Sequence, residues 1–456
     1  SSLNDAFIRL VFRDSFMKPI SILDAFTVAG RALALGLTLA TVAVCAVWTP
    51  AAVAQTASIH HSPALREVPA QMLGVSPERL ARIDAICEQA IREGRIPGAV
   101  ALVARNGKVV YHKAFGMADN EAGRALQRDD IFRIASQTKA VTSTAVMMLW
   151  AEGRFRLDDP VSNWIPEFKK PQVLKTYNEA DGTWTGEPAK REITIRDLLT
   201  HTAGLTYGSG PAADVYKQAK FTRWYFADRD ETIGDAIKRL AALPLNGQPG
   251  EVYQYGYSSD VLGYLVEVVS GMPLDKFFAE RIFGPLKMVD SCFFLPPEKA
   301  SRLAPVYGVE KGVLGLGDQG DYVTGPRKCF SGGAGVLSTA RDYGRLLQMF
   351  LNGGELDGVR LLSPKAIELM RSNHTGTKYG KDTDAFGLGF WVMQDVGYFG
   401  ELGSVGSYGW GSAYFPQYLV DPKEKIVALM MTQLMPSGGN DLNQKFKVMM
   451  YQALVK

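Results

Sequence analysis

The sequence predicts an α+β fold, with one antiparallel sheet built from both ends of the chain and a helical lobe from its middle. Three observations predict it. A helical pattern and an Asn-Gly hairpin occupy residues 77–112. Helices and long loops, with few strand patterns, fill residues 161–322. A second hairpin and a last helix occupy residues 418–455. Strands and helices kept in separate blocks point to α+β rather than to alternating α/β. A cleft between sheet and lobe is where a site is expected.

Each element has its reason. Ser76 is the N-cap of the first helix and Pro77 its first residue. Leu80, Ile83, Ile86, Ala90 and Ile91 give that helix one apolar face, and Gly94 ends it. Residues 100–104 and 109–112 read as strands about Asn106-Gly107, the strongest short hairpin signal. A helix from Ser136 carries Val141, Ala145, Met148 and Leu149 on one side and stops at Gly153. Residues 196–205 read as a helix running into a loop. Pro249-Gly250 turns into an aromatic loop, and a helix continues from Asp260. Residues 418–420 and 426–432 flank the turn Asp421-Pro422-Lys423-Glu424. The last helix sets Leu442, Phe446, Met449 and Ala453 on one face.

The chain has 456 residues and a formal net charge of +3. That length suits one large domain or two intimate ones. With no concentrated basic patch, nucleic acid is not an expected partner. Four cysteines are present, Cys45, Cys87, Cys292 and Cys329. Cys45 falls in a leader, and the remaining three do not form a disulfide framework. No Cys/His pair stands at metal-ligand spacing, so no metal site is expected.

The leader spans residues 1–54. Met17-Lys18 begins a weakly basic segment that includes Arg31, and residues 32–47 are apolar or small apart from Thr38 and Thr41. Ala52-Val53-Ala54 supplies the small residues a signal peptidase reads, with cleavage after Ala54. The apolar run, about 16 residues, is shorter than the roughly 20 a spanning helix needs. The expectation is therefore an exported protein, periplasmic or secreted, with no stable membrane association once the leader is removed. Residues 55–74 read as a linker, residues 75–456 as the catalytic domain, and about 136–325 as its helical lobe.

The chemistry centres on Ser136-Gln137-Thr138-Lys139. Residues three apart on a helix share a face, so Ser136 and Lys139 point the same way. A serine hydroxyl needs a base to take its proton, and a neutral lysine can serve. The same helix end offers a backbone N–H to an oxyanion. Ser-x-x-Lys alone also arises by chance roughly once in a chain of this length. On residues alone, Tyr255 between Tyr253 and Tyr257 reads as aromatic packing. Trp410 between Gly409 and Gly411 suggests a close backbone approach. His201 reads as a loop brace beside Thr200 and Thr202 rather than a general base.

In this context the chain resembles the class C β-lactamase branch of serine hydrolases, and most closely its esterase relatives, the family VIII carboxylesterases. The pieces that carry the resemblance stand in the family's order. They are Ser136-Gln137-Thr138-Lys139, Leu157-Asp158-Asp159-Pro160-Val161, Leu198-Leu199-Thr200-His201-Thr202-Ala203-Gly204-Leu205 and Pro249-Gly250 before Tyr255. Ser331-Gly332-Gly333-Ala334-Gly335 and Trp410-Gly411-Ser412 follow. The resemblance implies a serine β-lactamase/DD-peptidase-like fold, with the site between sheet and lobe. It implies Ser136 as acylated nucleophile, with Lys139 and Tyr255 sharing a proton network. It places the backbone N–H groups of Ser136 and Ala413 as the oxyanion hole, with Trp410, Gly411, Ser412 and Tyr257 lining the substrate. It implies a small carboxylic ester as substrate, with weak β-lactam hydrolysis as a side activity, and no cofactor.

Two departures stand out. Lactamases carry asparagine where Tyr257 stands, and Ser412 replaces the second glycine usual in the esterases. No Gly-x-Ser-x-Gly elbow is present, which excludes the α/β-hydrolase reading. A β-lactamase or D-Ala peptidase is the alternative enzyme, and a non-catalytic binding protein the alternative of a different class.

Overall fold

Leucine, valine and alanine fill the strand Gly98–Arg105 on both of its sides, and the computed structural model shows why. The structure describes residues 65–380 and 384–456. The leader and the first part of the linker lie outside the described residues. Strands of the large sheet are numbered here β1 (Arg66–Glu67), β2 (Gly98–Arg105), β3 (Lys108–Asp119), β4 (Arg124–Ala125), β5 (Asp384–Phe386), β6 (Trp391–Met393), β7 (Tyr408–Gly411), β8 (Gln417–Asp421) and β9 (Ile426–Met431). Every residue of β2 is buried. Successive side chains of a strand face opposite ways. Val100, Leu102 and Ala104 enter one core, and Ala99, Ala101 and Val103 another on the far side of the sheet.

The sheet runs in the order β1-β3-β2-β9-β8-β7-β6-β5, with β4 added to β3. β1 pairs with β3 in parallel, and β2, β3 and β5–β9 pair antiparallel. The join between β2 and β9, with Leu102 opposite Leu429, unites the two ends of the chain in one sheet. Asn106 and Gly107 both have positive φ, 50° and 73°, as a tight two-residue hairpin requires.

Helices cover both faces. α1 (Pro77–Arg92) starts at Ser76, whose Oγ accepts from the Arg79 N–H at 3.2 Å. It packs with the last helix, α5 (Leu442–Tyr451), on one face. On the other face α4 (Ala340–Leu351) lies across β2, β8 and β9. Between sheet segments the lobe packs α2 (Thr138–Ala151) against α3 (Ser258–Ser270). The short helix Ile195–Leu199 braces α3 and opens with a capping box between Thr194 and Asp197.

Several boundaries differ from the sequence reading. Leu65 and Ala70 are buried and Arg66 and Glu67 pair with β3, so the final part of the expected linker is the edge of the sheet. The lobe ends beyond residue 325, where Leu337–Ser338 pairs back onto Phe132–Arg133. Two hairpins occur inside it, Gln172–Tyr177 with Trp184–Pro188 and Tyr307–Glu310 with Val313–Leu316. Three of these four strands are largely uncovered, so burial never imposed an apolar alternation on their sequence. Among the described residues no helix is long and apolar enough to cross a membrane. No group of three or more His, Cys, Asp or Glu among them is placed to hold a metal ion.

Candidate active site

Ser136 stands in a 3-10 turn, Ala135–Gln137, between the strand Phe132–Arg133 and α2. The sequence reading put it at the opening of the helix itself. In the structure Gln137 holds the cap position and makes no side-chain capping bond. The turn is bent through Ala135, whose φ is 36°. An L-residue in that region costs about 1–2 kcal/mol and persists only where surroundings enforce it. Here Ala135 is locked against Ala334 and Tyr414. Below it the buried Arg133 guanidinium donates to the carbonyls of Ala304 and Gln319, at 2.7 and 2.6 Å.

This bend leaves the Ser136 hydroxyl with a single hydrogen-bonding neighbour among the described residues, Lys139 Nζ at 3.4 Å. Such contacts are often long before a substrate is bound. Ser136 keeps 8% of its surface exposed, and Lys139 only 1%. Lys139 Nζ also donates to the Gly333 carbonyl at 2.8 Å and to the Tyr207 hydroxyl at 3.1 Å. The loop around Gly333 is tied to α2 on both sides of the lysine. Thr142 Oγ1 donates to the Gly332 carbonyl at 2.6 Å, and Val336 N–H donates to Thr138 Oγ1 at 3.0 Å.

Behind Tyr207 lies Asp260, fully buried at the start of α3. It accepts from Ser331 Oγ at 2.5 Å, from the Gly333 N–H at 3.0 Å and from the Tyr207 hydroxyl at 3.4 Å. Burial holds its carboxyl above the usual carboxylate range, and the bond from Ser331 and the charge of Lys139 offset only part of that rise. Burial, and then the Asp260 carboxylate, drive the Tyr207 phenol well above its ordinary value. Tyr207 was absent from the sequence reading, and Asp260 stood there only as the start of a helix. A signal existed for Asp260, an acid directly before the apolar pair Val261-Leu262 and on the buried side of its helix. Tyr207 lies just past the Leu198–Leu205 motif and carries no pattern of its own.

Tyr255 sits elsewhere in this network than the resemblance implied. Lys139 Nζ lies 4.7 Å from the centroid of its ring, and its hydroxyl accepts from Trp410 Nε1 at 3.1 Å. The hydroxyl that meets Lys139 is that of Tyr207. Tyr257, expected to line the substrate, does not do so. It is 0% exposed, packed by Tyr207, Phe221 and Phe226, and its hydroxyl donates to the Arg223 carbonyl. The chain turns into α3 at Tyr257, which points that ring inward. His201 is a brace, but through its backbone: its carbonyl accepts from the Gln254 N–H at 2.7 Å, steadying the Tyr255 loop. Its ring packs 4.7 Å from that of Tyr255. Burial, and then the charge of Lys139, hold the imidazole well below its usual range, so it stays neutral. The Thr200 and Thr202 hydroxyls pair with each other at 2.9 Å.

Trp410, Gly411, Ser412 and Ala413 run past the Ser136 turn at the end of β7. No protein group among the described residues accepts from the backbone N–H of Ser136 or of Ala413. Trp410 meets Tyr255, Tyr379 and Phe386 in an aromatic wall, at centroid separations of 5.5, 6.2 and 5.2 Å. On the other side Trp224, Ala413 and Met435 pack around Ala135 and Tyr414. There a cavity of about 780 Å³ opens, lined by Arg223, Trp224, Tyr225, Asp318, Tyr414 and Met435 among others.

This architecture is shared with known proteins. The Beta-lactamase family model matches residues 83–448. Protein Rv1367c of Mycobacterium tuberculosis is 35% identical over 389 residues, covering 79% of this chain and 90% of that protein. Esterase EstB of Burkholderia gladioli is 34% identical over 387 residues, covering 78% and 91%. The solved structure of EstCE1, described as a hydrolase with promiscuous acyltransferase activity, superposes with a TM-score of 0.70 at 28% identity, covering 83% of this chain and 99% of that one. The chain belongs to the beta-lactamase family, as a serine hydrolase of its carboxylesterase-like branch.

Proposed function

We propose that this protein hydrolyses small carboxylic esters through an acyl-enzyme on Ser136. One observation carries the reading: among the described residues the Ser136 hydroxyl has no hydrogen-bonding neighbour but the Lys139 amine, whose other two hydrogen-bonding neighbours are oxygens. Lys139 takes the hydroxyl proton as Ser136 Oγ attacks the ester carbonyl. The carbonyl oxygen, negative in the tetrahedral intermediate, lies between the N–H groups of Ser136 and Ala413. The intermediate expels the alcohol, protonated through Lys139 or Tyr255. Water then enters by the same route and releases the acid.

The substrate class follows from the outer wall. Lactamases meet a substrate carboxylate with a lysine where Trp410 stands, and an indole offers one N–H and no charge. That N–H is already given to Tyr255. An ester with an apolar acyl or alcohol group fits the aromatic wall at no such electrostatic cost. A lactam reading would draw its cation from Arg223, on the rim of the neighbouring cavity. A series of p-nitrophenyl esters of increasing chain length, assayed beside a chromogenic cephalosporin, decides between them. Turnover of short esters well above the cephalosporin is expected; the reverse makes β-lactamase the better description.

The domain acts outside the cytoplasm in this reading, on the strength of the apolar run at residues 32–47 and Ala52-Val53-Ala54. Protein recovered from a Gram-negative periplasm is expected to begin at Gln55. An intact leader on soluble cytoplasmic protein rejects export.

A further inference from the structure

Asp260 touches none of the reacting atoms, yet it binds both oxygen-bearing groups that hold Lys139. We propose that Asp260 is the positioning residue that aims the Lys139 amine at Ser136, acting through the Tyr207 hydroxyl and the Gly333 peptide. The proposal rests on the reading of Ser136 as nucleophile and Lys139 as its base.

A carboxylate only accepts hydrogen bonds. One oxygen of Asp260 takes the Ser331 hydroxyl and the Gly333 N–H, and the other takes the Tyr207 hydroxyl. The single proton of Tyr207 is thereby committed to Asp260, and its oxygen turns a lone pair to Lys139 Nζ at 3.1 Å. The peptide of Gly333, pinned at its N–H, presents its carbonyl to the same nitrogen at 2.8 Å. A neutral amine has two N–H bonds and one lone pair. Two acceptors consume both N–H bonds. The lone pair is left for the third neighbour, the Ser136 hydroxyl at 3.4 Å. When Ser136 Oγ bonds the acyl carbon, its proton passes to that lone pair and Lys139 becomes an ammonium.

The surroundings fit this reading. A β-carbon on Gly333 would stand 2.5 Å from Asp260 Oδ2 and 2.7 Å from the Tyr207 hydroxyl, so only glycine lets the three groups converge. The remaining faces around Nζ are the rings of Tyr255 and Tyr207, at 4.7 and 5.2 Å, which supply no oxygen acceptor from their π faces. His201, another titratable group near Lys139, is held neutral chiefly by its burial.

Asp260→Asn inverts the arrangement with little change of shape. The amide oxygen still accepts from Ser331 and Gly333, and the amide nitrogen now donates to Tyr207. The Tyr207 proton swings to Lys139 and occupies the lone pair. Asp260→Asn is expected to lower kcat for p-nitrophenyl butyrate about a hundredfold or more, with KM within about threefold of wild type. Tyr207→Phe alone loses about tenfold, because it removes one of the two acceptors. In the double variant the misdirected proton is gone, and activity rises about tenfold above Asp260→Asn alone.

A purely structural role for Asp260 gives no such rescue. A double variant no faster than Asp260→Asn, or an Asp260→Asn protein within about threefold of wild type, overturns the proposal. Thermal melting checks folding. If Asp260→Asn melts below the assay temperature, Tyr207→Phe against Ser331→Ala decides. Ser331 touches Asp260 but not Lys139, so its loss is the milder in kcat; equal or greater damage from Ser331→Ala overturns the proposal. Wild-type turnover and fluorophosphonate labelling of Ser136 on the same preparation separate the two levels. Absence of both in wild type overturns the esterase reading and the proposal with it. An active wild type with an equally active Asp260→Asn overturns the proposal alone.

Discussion

On one side of Ser136, Lys139, Asp260 and Ser331 are buried, and each of their side-chain polar atoms has a protein partner. On the other side Tyr255, Trp410, Gly411, Ser412 and Ala413 are half-buried. Their side-chain bonds are few: Trp410 to Tyr255, and Tyr414 N–H to Ser412 Oγ at 3.4 Å. The first wall fixes where protons lie, because a buried polar group left unpaired is costly. The second wall has room to take up a substrate's shape. Changes to the inner wall should therefore fall on kcat, as should loss of the Tyr255 hydroxyl, the one proton donor proposed on the outer wall; changes at Trp410 and Ser412 should fall on KM and on the choice of substrate.

The hinge of the comparison is Ser136 itself. Ser136→Ala should abolish acyl-enzyme formation and cost on the order of a millionfold in kcat, the usual loss for such a nucleophile. A protein that keeps more than about a few per cent of wild-type turnover, or still takes up a covalent serine probe, sinks the assignment. Next come Lys139→Ala and Tyr255→Phe. Each should cost about a thousandfold, and the double variant should be hardly worse than the lysine change alone, because groups acting as a unit are not additive. Losses that multiply would mean that the two walls act independently around Ser136.

The halves were not equally legible in sequence. Local rules sufficed for the α1 cap, the Asn106-Gly107 turn, the β8–β9 hairpin and the last helix, because each is written in neighbouring residues. Residue order set Ser136 and Lys139 about one turn apart, and the structure brings their side chains within 3.4 Å. The partners of Lys139 were not legible. Tyr207 and Gly333 stand 68 and 194 residues away along the chain and meet it only through packing of the lobe. Tyr257 was misplaced for the related reason that two tyrosines two positions apart face opposite ways where a loop enters a helix. The strained φ of Ala135 is likewise imposed by tertiary contacts, which no local propensity encodes.

A smaller effect tests the outer wall. Trp410 has no charge to offer a carboxylate, so kcat/KM for p-nitrophenyl butyrate should exceed that for nitrocefin by about a hundredfold, the cost of a few kcal/mol for an unpaired anion in a partly dry cleft. Trp410→Lys should narrow that gap about tenfold, mainly through KM for the lactam. An unchanged ratio would show that the aromatic wall does not set substrate choice.

The smallest expected effect uses α3 as its own control. Asp260 and Glu267 are both acids on that helix, but Asp260 has three donors and a lysine nearby, whereas among the described residues Glu267 accepts from the Leu274 N–H alone, at 2.9 Å. Burial accordingly pushes the Glu267 carboxyl up to about 7 from 4.5. With the folded value raised, the native state holds a proton that the unfolded chain has already lost between these limits. The stabilisation is complete below 4.5 and is lost as pH rises through 7. At pH 8 the buried charge is a net cost of about 1–2 kcal/mol, after discounting for partial exposure. Glu267→Gln keeps the acceptor and removes the charge. It should raise Tm at pH 8 by roughly 1–2 °C and leave Tm at pH 4 nearly unchanged. Asp342 and Asp384, raised to about 6, titrate in the same window, so the comparison is variant against wild type at each pH. A variant no more stable than wild type at pH 8 would mean that Glu267 is already well served by solvent, and that the difference between the two acids of α3 lies in geometry alone.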